Sequence, residues 1–135
     1  MAKKTNPRRS KLTEEVFQRA LALRDAGDRQ GAEALLNRLA EEDPEDLDVL
    51  IVLGGVLSHQ EKWAEAAGIF QRLLAARPAN EPASLGLFLS LWHLERRRDA
   101  IGEMERFLSI AESNEYERLL KDLERAVALG ADERP

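Results

Sequence analysis

The sequence predicts an all-α fold, a solenoid of antiparallel helix pairs with about seven helices. Three observations carry that expectation. Residues recur at a spacing of 34: Ala32, Ala66 and Ala100, then Pro44 and Pro78, then His59 and His93, the only two histidines. A fixed period of this length marks stacked supersecondary units, each covering its apolar face with its neighbour. Leu, Ala, Glu and Arg dominate while aromatic residues make up 5%, a balance that favours helix at almost every position. No segment alternates in the manner of a strand; apolar residues return at helical intervals instead. At 135 residues, 44% apolar and 33% charged, the chain reads as one domain with a core of useful size.

The elements follow in order. Residues 1–10 lack periodicity and contain Pro7, so 1–11 reads as a flexible basic arm. Lys3, Lys4, Arg8, Arg9 and Lys11 stand there without an acid, ahead of an acidic body in a chain of net charge −5. The repeat domain spans 12–130. Its first helix carries Val16, Ala20 and Leu23 on one face, and Gly27-Asp28 breaks it, the glycine suited to the left-handed position after a helix end. Ala32, Leu35, Leu36 and Leu39 point inward on the second helix, which Asp43-Pro44 stops. The plan repeats with Leu50, Leu53, Gly54 and Leu57, a break at Gln60 to Lys62, then Ala66, Phe70 and Leu73 up to Arg77-Pro78. The third unit runs through Leu87 and Leu91, a charged break at Glu95 to Arg98, and Ala100, Met104 and Phe107, ending near Glu112. A seventh helix, 115–129, caps the chain. Asn114 with Glu117 forms its capping box, and Tyr116, Leu119, Leu120, Leu123 and Val127 form its apolar stripe. Residues 131–135 read as a disordered C-terminus.

These residues resemble the tetratricopeptide repeat (TPR) family over three units: 13–46, 47–80 and 81–114. Leu53-Gly54, Leu57, Ala66, Phe70, Leu73 and Pro78 match the family pattern best, with Trp63 as the aromatic that opens a second helix. The physical demands are a small residue where paired helices approach and a proline that forbids continuation. The outer units depart from the pattern. Arg19 stands where a core Leu is usual, Phe88 where Gly or Ala is usual, and Glu112 where the proline is usual. The resemblance implies a TPR-type right-handed α-solenoid.

It also implies a binding groove on the concave face, lined by the first helix of each unit. The matching positions are Phe17, Leu21 and Arg24; then Ile51, Gly55, Ser58 and His59; then Leu85, Leu89, Trp92 and His93. TPR proteins that hold acidic chaperone tails need cations here to pair with carboxylates. This groove offers one arginine and two histidines among hydrophobes, so it is read as a site for an apolar helix or extended peptide of another protein. Covering its six large apolar side chains is worth on the order of 10 kcal/mol before binding costs. Homodimerisation through the groove, or cover by the C-terminal helix, are the alternatives.

No Gly-rich phosphate loop, nucleophile elbow or Ser-His-carboxylate set is present, so the chain reads as non-catalytic. Without cysteine and with two histidines, neither a disulfide nor a metal site is expected, and no cofactor is implied. The arm lacks aromatics and precedes an acidic body, which argues against specific nucleic-acid binding. The Arg96-Arg97-Arg98 run reads as a solvated turn. The arm carries no apolar signal region, and the longest near-uncharged run, Val49 to Leu57, is too short to cross a bilayer, so a cytoplasmic protein without membrane insertion is expected. The reading is a protein–protein interaction module, adaptor or scaffold. The alternatives are a small bacterial chaperone or toxin-neutralising partner for one client, a groove-mediated homodimer, or a nucleic-acid-associated factor acting through the arm.

Overall fold

Seven α-helices make up the computed structural model, which describes residues 6–130: α1 (Lys11–Asp25), α2 (Arg29–Glu42), α3 (Leu47–His59), α4 (Trp63–Ala76), α5 (Glu81–His93), α6 (Arg97–Leu108) and α7 (Asn114–Gly130). No strand occurs among the described residues. Helices α1/α2, α3/α4 and α5/α6 pack as pairs, and α2 meets α3 as α4 meets α5. The first helices also touch one another, α1 with α3 and α3 with α5. They therefore line the inner side of the stack, with the second helices outside.

The turn inside each pair is built the same way three times. Gly27, Glu61 and Glu95, spaced 34 apart, all have positive φ, at 89°, 60° and 62°. In each turn the next amide donates back five residues: Asp28 to the Leu23 carbonyl, Lys62 to Leu57 and Arg96 to Leu91. This closes the C-terminus of each first helix and satisfies its free carbonyls. Only the first turn uses glycine; the others hold a glutamate in the left-handed region. Between pairs, α2 and α4 end one residue before Asp43-Pro44 and Arg77-Pro78.

Ala32, Ala66 and Ala100 are completely buried where paired helices meet. Phe70 of α4 sits between two glycines: a Cβ on Gly54 would lie 2.6 Å from its ring, and one on Gly86 of α5 2.5 Å. The two clearances show how closely α3 and α5 approach the same ring. Gly86 was not singled out in the sequence because its close neighbour lies in the preceding unit. Phe88, which stands where the repeat favours a small residue, is buried at the other end of the stack. Its ring stacks on Trp92 at 5.6 Å and meets Tyr116 of α7 edge-on at 5.8 Å.

Three expectations need correction. The arm is docked from Asn6 onward: Arg9 donates to both carboxylate oxygens of buried Asp46 at 2.7 and 3.0 Å and to Glu14 at 2.8 Å, and Arg8 pairs with Asp43. Lys11 already belongs to α1. Opposite charge and a buried, hydrogen-bonding carboxylate give this segment a fixed seat that hydropathy cannot reveal. Lys3 and Lys4, like the 131–135 tail, lie outside the described residues. Helix α6 ends at Leu108, where the Ser109 hydroxyl turns back to the Arg106 carbonyl. The cap of α7 is Ser113, whose hydroxyl accepts from the Tyr116 amide at 3.1 Å, with Asn114 already inside the helix.

Candidate functional site

The predicted groove residues stand on α1, α3 and α5, the helices that face inward. Their exposure divides them. Ile51 and Leu89 are open to solvent, at 36% and 45%. Leu21, Leu85 and Trp92 are half-buried against the core. Phe17 is not part of an open groove: it is 7% exposed, and the Arg9 guanidinium lies 4.2 Å from its ring centre. The docked arm thus covers the α1 end. The open apolar surface is carried by α3 and α5.

The polar members hold specific contacts. Ser58 donates to the Gly54 carbonyl at 2.9 Å, and Arg24 pairs with its neighbour Asp25. Gly55 has open space where a Cβ would be. Its carbonyl lies 2.9 Å from Nδ1 of His59.

The two histidines share a register and differ in surroundings. His93 stacks flat on Trp63, the first residue of α4, with ring centres 4.1 Å apart. His59 faces Arg29, the first residue of α2, across a cleft of about 230 Å³ that Arg24 and Val56 also line. The N-terminal residue of the neighbouring second helix sets the difference. Arg97, at the equivalent place in α6, lies 5.1 Å from the Trp92 ring, a cation–π contact in helix α6 that a solvated turn did not anticipate. Helix α7 does not fold over the groove, since Ile51 and Leu89 stay exposed with α7 in place. No cluster of histidine and carboxylate suited to a metal ion occurs among the described residues.

Helix pairs of uniform turn geometry, stacked so that first helices line one side, define a helical-repeat protein of the α-solenoid class. A family profile described as tetratricopeptide repeat matches residues 17–81. Residues 17–81 therefore carry tetratricopeptide repeats. No curated protein matches the chain by sequence. Solved structures share the fold. MamA 41-end from Desulfovibrio magneticus RS-1 superposes with a TM-score of 0.73 at 22% identity, over 90% of this chain and 72% of that one. The first TPR of Spaghetti (RPAP3), bound to the HSP90 peptide SRMEEVD, gives 0.71 at 15% identity, over 86% and 95%. YrrB, a TPR protein with an unusual peptide-binding site, gives 0.72 at 16% identity, over 82% and 57%. Among the described residues, no helix is long and apolar enough to cross a membrane.

Proposed function

We propose that this chain is a non-catalytic adaptor or scaffold that takes an apolar helix or extended peptide of a partner protein into the groove between α3 and α5. The observation that carries the reading is the pair Ile51 and Leu89, large hydrophobes left exposed on the inner helices. Leu85 and Trp92 supply half-buried apolar walls beside them. The fold is one that binds peptides in other proteins, one of them an HSP90 peptide. Here Arg24 is the sole cation among the predicted groove residues and is paired with Asp25. An acidic tail would find few partners, whereas an apolar segment would remove exposed hydrophobic surface from water.

The test compares the chain with an Ile51→Asp, Leu89→Asp variant against two labelled peptides, an amphipathic leucine-rich helix without net charge and SRMEEVD. The wild-type chain should bind the apolar peptide with little salt dependence and SRMEEVD more weakly. The double variant should lose at least tenfold in affinity for the apolar peptide while its melting temperature holds. Preference for SRMEEVD, or unchanged affinity in the variant, would show the reading to be wrong. Dimerisation abolished by the same two substitutions would place a second copy in the groove instead.

A further inference from the structure

A second apolar surface lies at the C-terminal end of the stack, between α6 and α7. Helix α7 is anchored at its first turns. The buried Tyr116 ring packs against Phe88 and Phe107, and its hydroxyl lies 2.7 Å from Ser84 Oγ. Ser84 in turn donates to Glu103, which a two-pronged Arg106 also holds. The Ser84 proton is committed to Glu103, so Tyr116 is the donor to Ser84. Beyond this anchor α7 stands off from α6. Leu120 is 38% exposed and Val127 63%. The two helices enclose an open groove of about 440 Å³, with Ile101, Met104 and Leu108 on one wall and Leu120, Leu123 and Val127 on the other.

The charged residues lining it are both acidic, Glu105 from α6 and Glu124 from α7. Neither Lys121 nor Arg125 lines the groove: Arg125 falls toward the opposite side of α7, and Lys121, three residues before Glu124, stands on its outer flank. We infer that this groove docks an amphipathic helix of a partner protein whose apolar stripe is flanked by lysine or arginine. Both walls present residues at i, i+3 and i+7, the spacing that receives a third helix laid between them. The two glutamates on opposite walls would then pair with cations on the two flanks of that helix. A second copy pairing through the same groove would set these acidic rims against their own equivalents. Residues 131–135, Ala-Asp-Glu-Arg-Pro, offer no large apolar side chain to fill the groove.

The probes are two labelled 18-residue helical peptides with the same leucine stripe, one flanked by lysines and one by glutamates. Their binding to the full chain is followed by fluorescence anisotropy. The lysine-flanked peptide should bind at least tenfold tighter, and the margin should shrink with added salt. Glu105→Lys with Glu124→Lys should reverse the preference, at two positions exposed enough to leave the fold intact. Leu120→Asp should abolish the lysine-over-glutamate preference, and Ile51→Asp with Leu89→Asp should leave that preference unchanged. Equal binding of the two peptides, a preference that survives charge reversal, or loss on changing the α3–α5 groove would overturn the inference. So would a dimer in the light-scattering mass that Leu120→Asp dissociates.

Discussion

Gly54 and Gly55 are adjacent in α3 and have opposite requirements. A methyl group on Gly54 would collide with the buried Phe70 ring, and Gly86 meets the same ring from α5. Gly54→Ala and Gly86→Ala are each expected to lower stability by about 1–3 kcal/mol, because the ring has no free space to move into. Gly55 has no neighbour where its Cβ would stand, so Gly55→Ala should raise stability by about 0.5–1 kcal/mol through helix propensity alone. Urea unfolding midpoints separate the two outcomes. The same substitution also probes the groove gently, since it adds a methyl group beside Ile51 without adding charge. Glu61 and Glu95 form a second residue-scale contrast. Both hold a left-handed backbone that glycine occupies at Gly27. Glu61→Gly and Glu95→Gly should each add about 0.5–1 kcal/mol by relieving that strain. An alanine at either position should not.

Among the elements, α7 depends on one residue. Tyr116 is its deeply buried side chain and carries its hydrogen bond to the body of the molecule. Tyr116→Phe keeps the ring contacts and should cost about 1 kcal/mol for the lost hydrogen bond. Amides of α7 should exchange faster in that variant while those of α3 and α4 hold their protection. Burial pushes the Tyr116 hydroxyl up to about 12, against its ordinary 10.0, and nearby Glu103 adds to the shift. A folded value above the unfolded one contributes stability below about pH 10 that is lost as the pH rises toward 12. Helix α7 should therefore loosen in alkali with the wild-type tyrosine, and show no such step in Tyr116→Phe.

At the scale of the whole molecule, a polar cluster closes the first end of the stack. At the first end, Arg9 and Asp46 have side chains 3% exposed and bond through two atoms each. Burial alone pushes the Asp46 carboxyl up; the Arg9 hydrogen bonds and charge outweigh it and hold the group below its ordinary 3.8. Glu14 lies low mainly through the Gln18 amide and then Arg9, and Glu33 mainly through Lys62. Each carboxyl is lowered on folding, so its stabilisation is complete above about pH 5 and is lost as the pH falls below about 4. Arg9→Met should cost about 3 kcal/mol at neutral pH, since Asp46 keeps its buried charge without the cation that balances it. The variant should also lose part of the acid-side slope in a pH series of unfolding midpoints. An unchanged slope would mean that the Arg9–Asp46 tie does not contribute to folding.

The period of 34, the breaks at Gly27-Asp28, Pro44 and Pro78, and the inward alanines were legible without coordinates. They follow from local chemistry: helix periodicity, the missing amide of proline and the small radius of alanine, each acting within a turn or two of the chain. On the candidate site, the sequence placed the groove residues on the first helices, and the structure brings those helices together. Which of them stay open was not legible. Phe17 has the same apolar side chain whether or not Arg9 lies over it, and the guanidinium reaches it through Asp46, 37 residues further along the chain. Gly86 meets Phe70 only once two units are stacked, and Trp63 meets His93 in the same way. The α6–α7 groove arises because Tyr116 seats one end of a helix whose apolar stripe runs on to Val127. Sequence alone determined the repeat and its helices, because those rest on neighbours in the chain. Tertiary structure alone decided which apolar faces remain uncovered, because exposure is set by contacts between residues far apart in sequence.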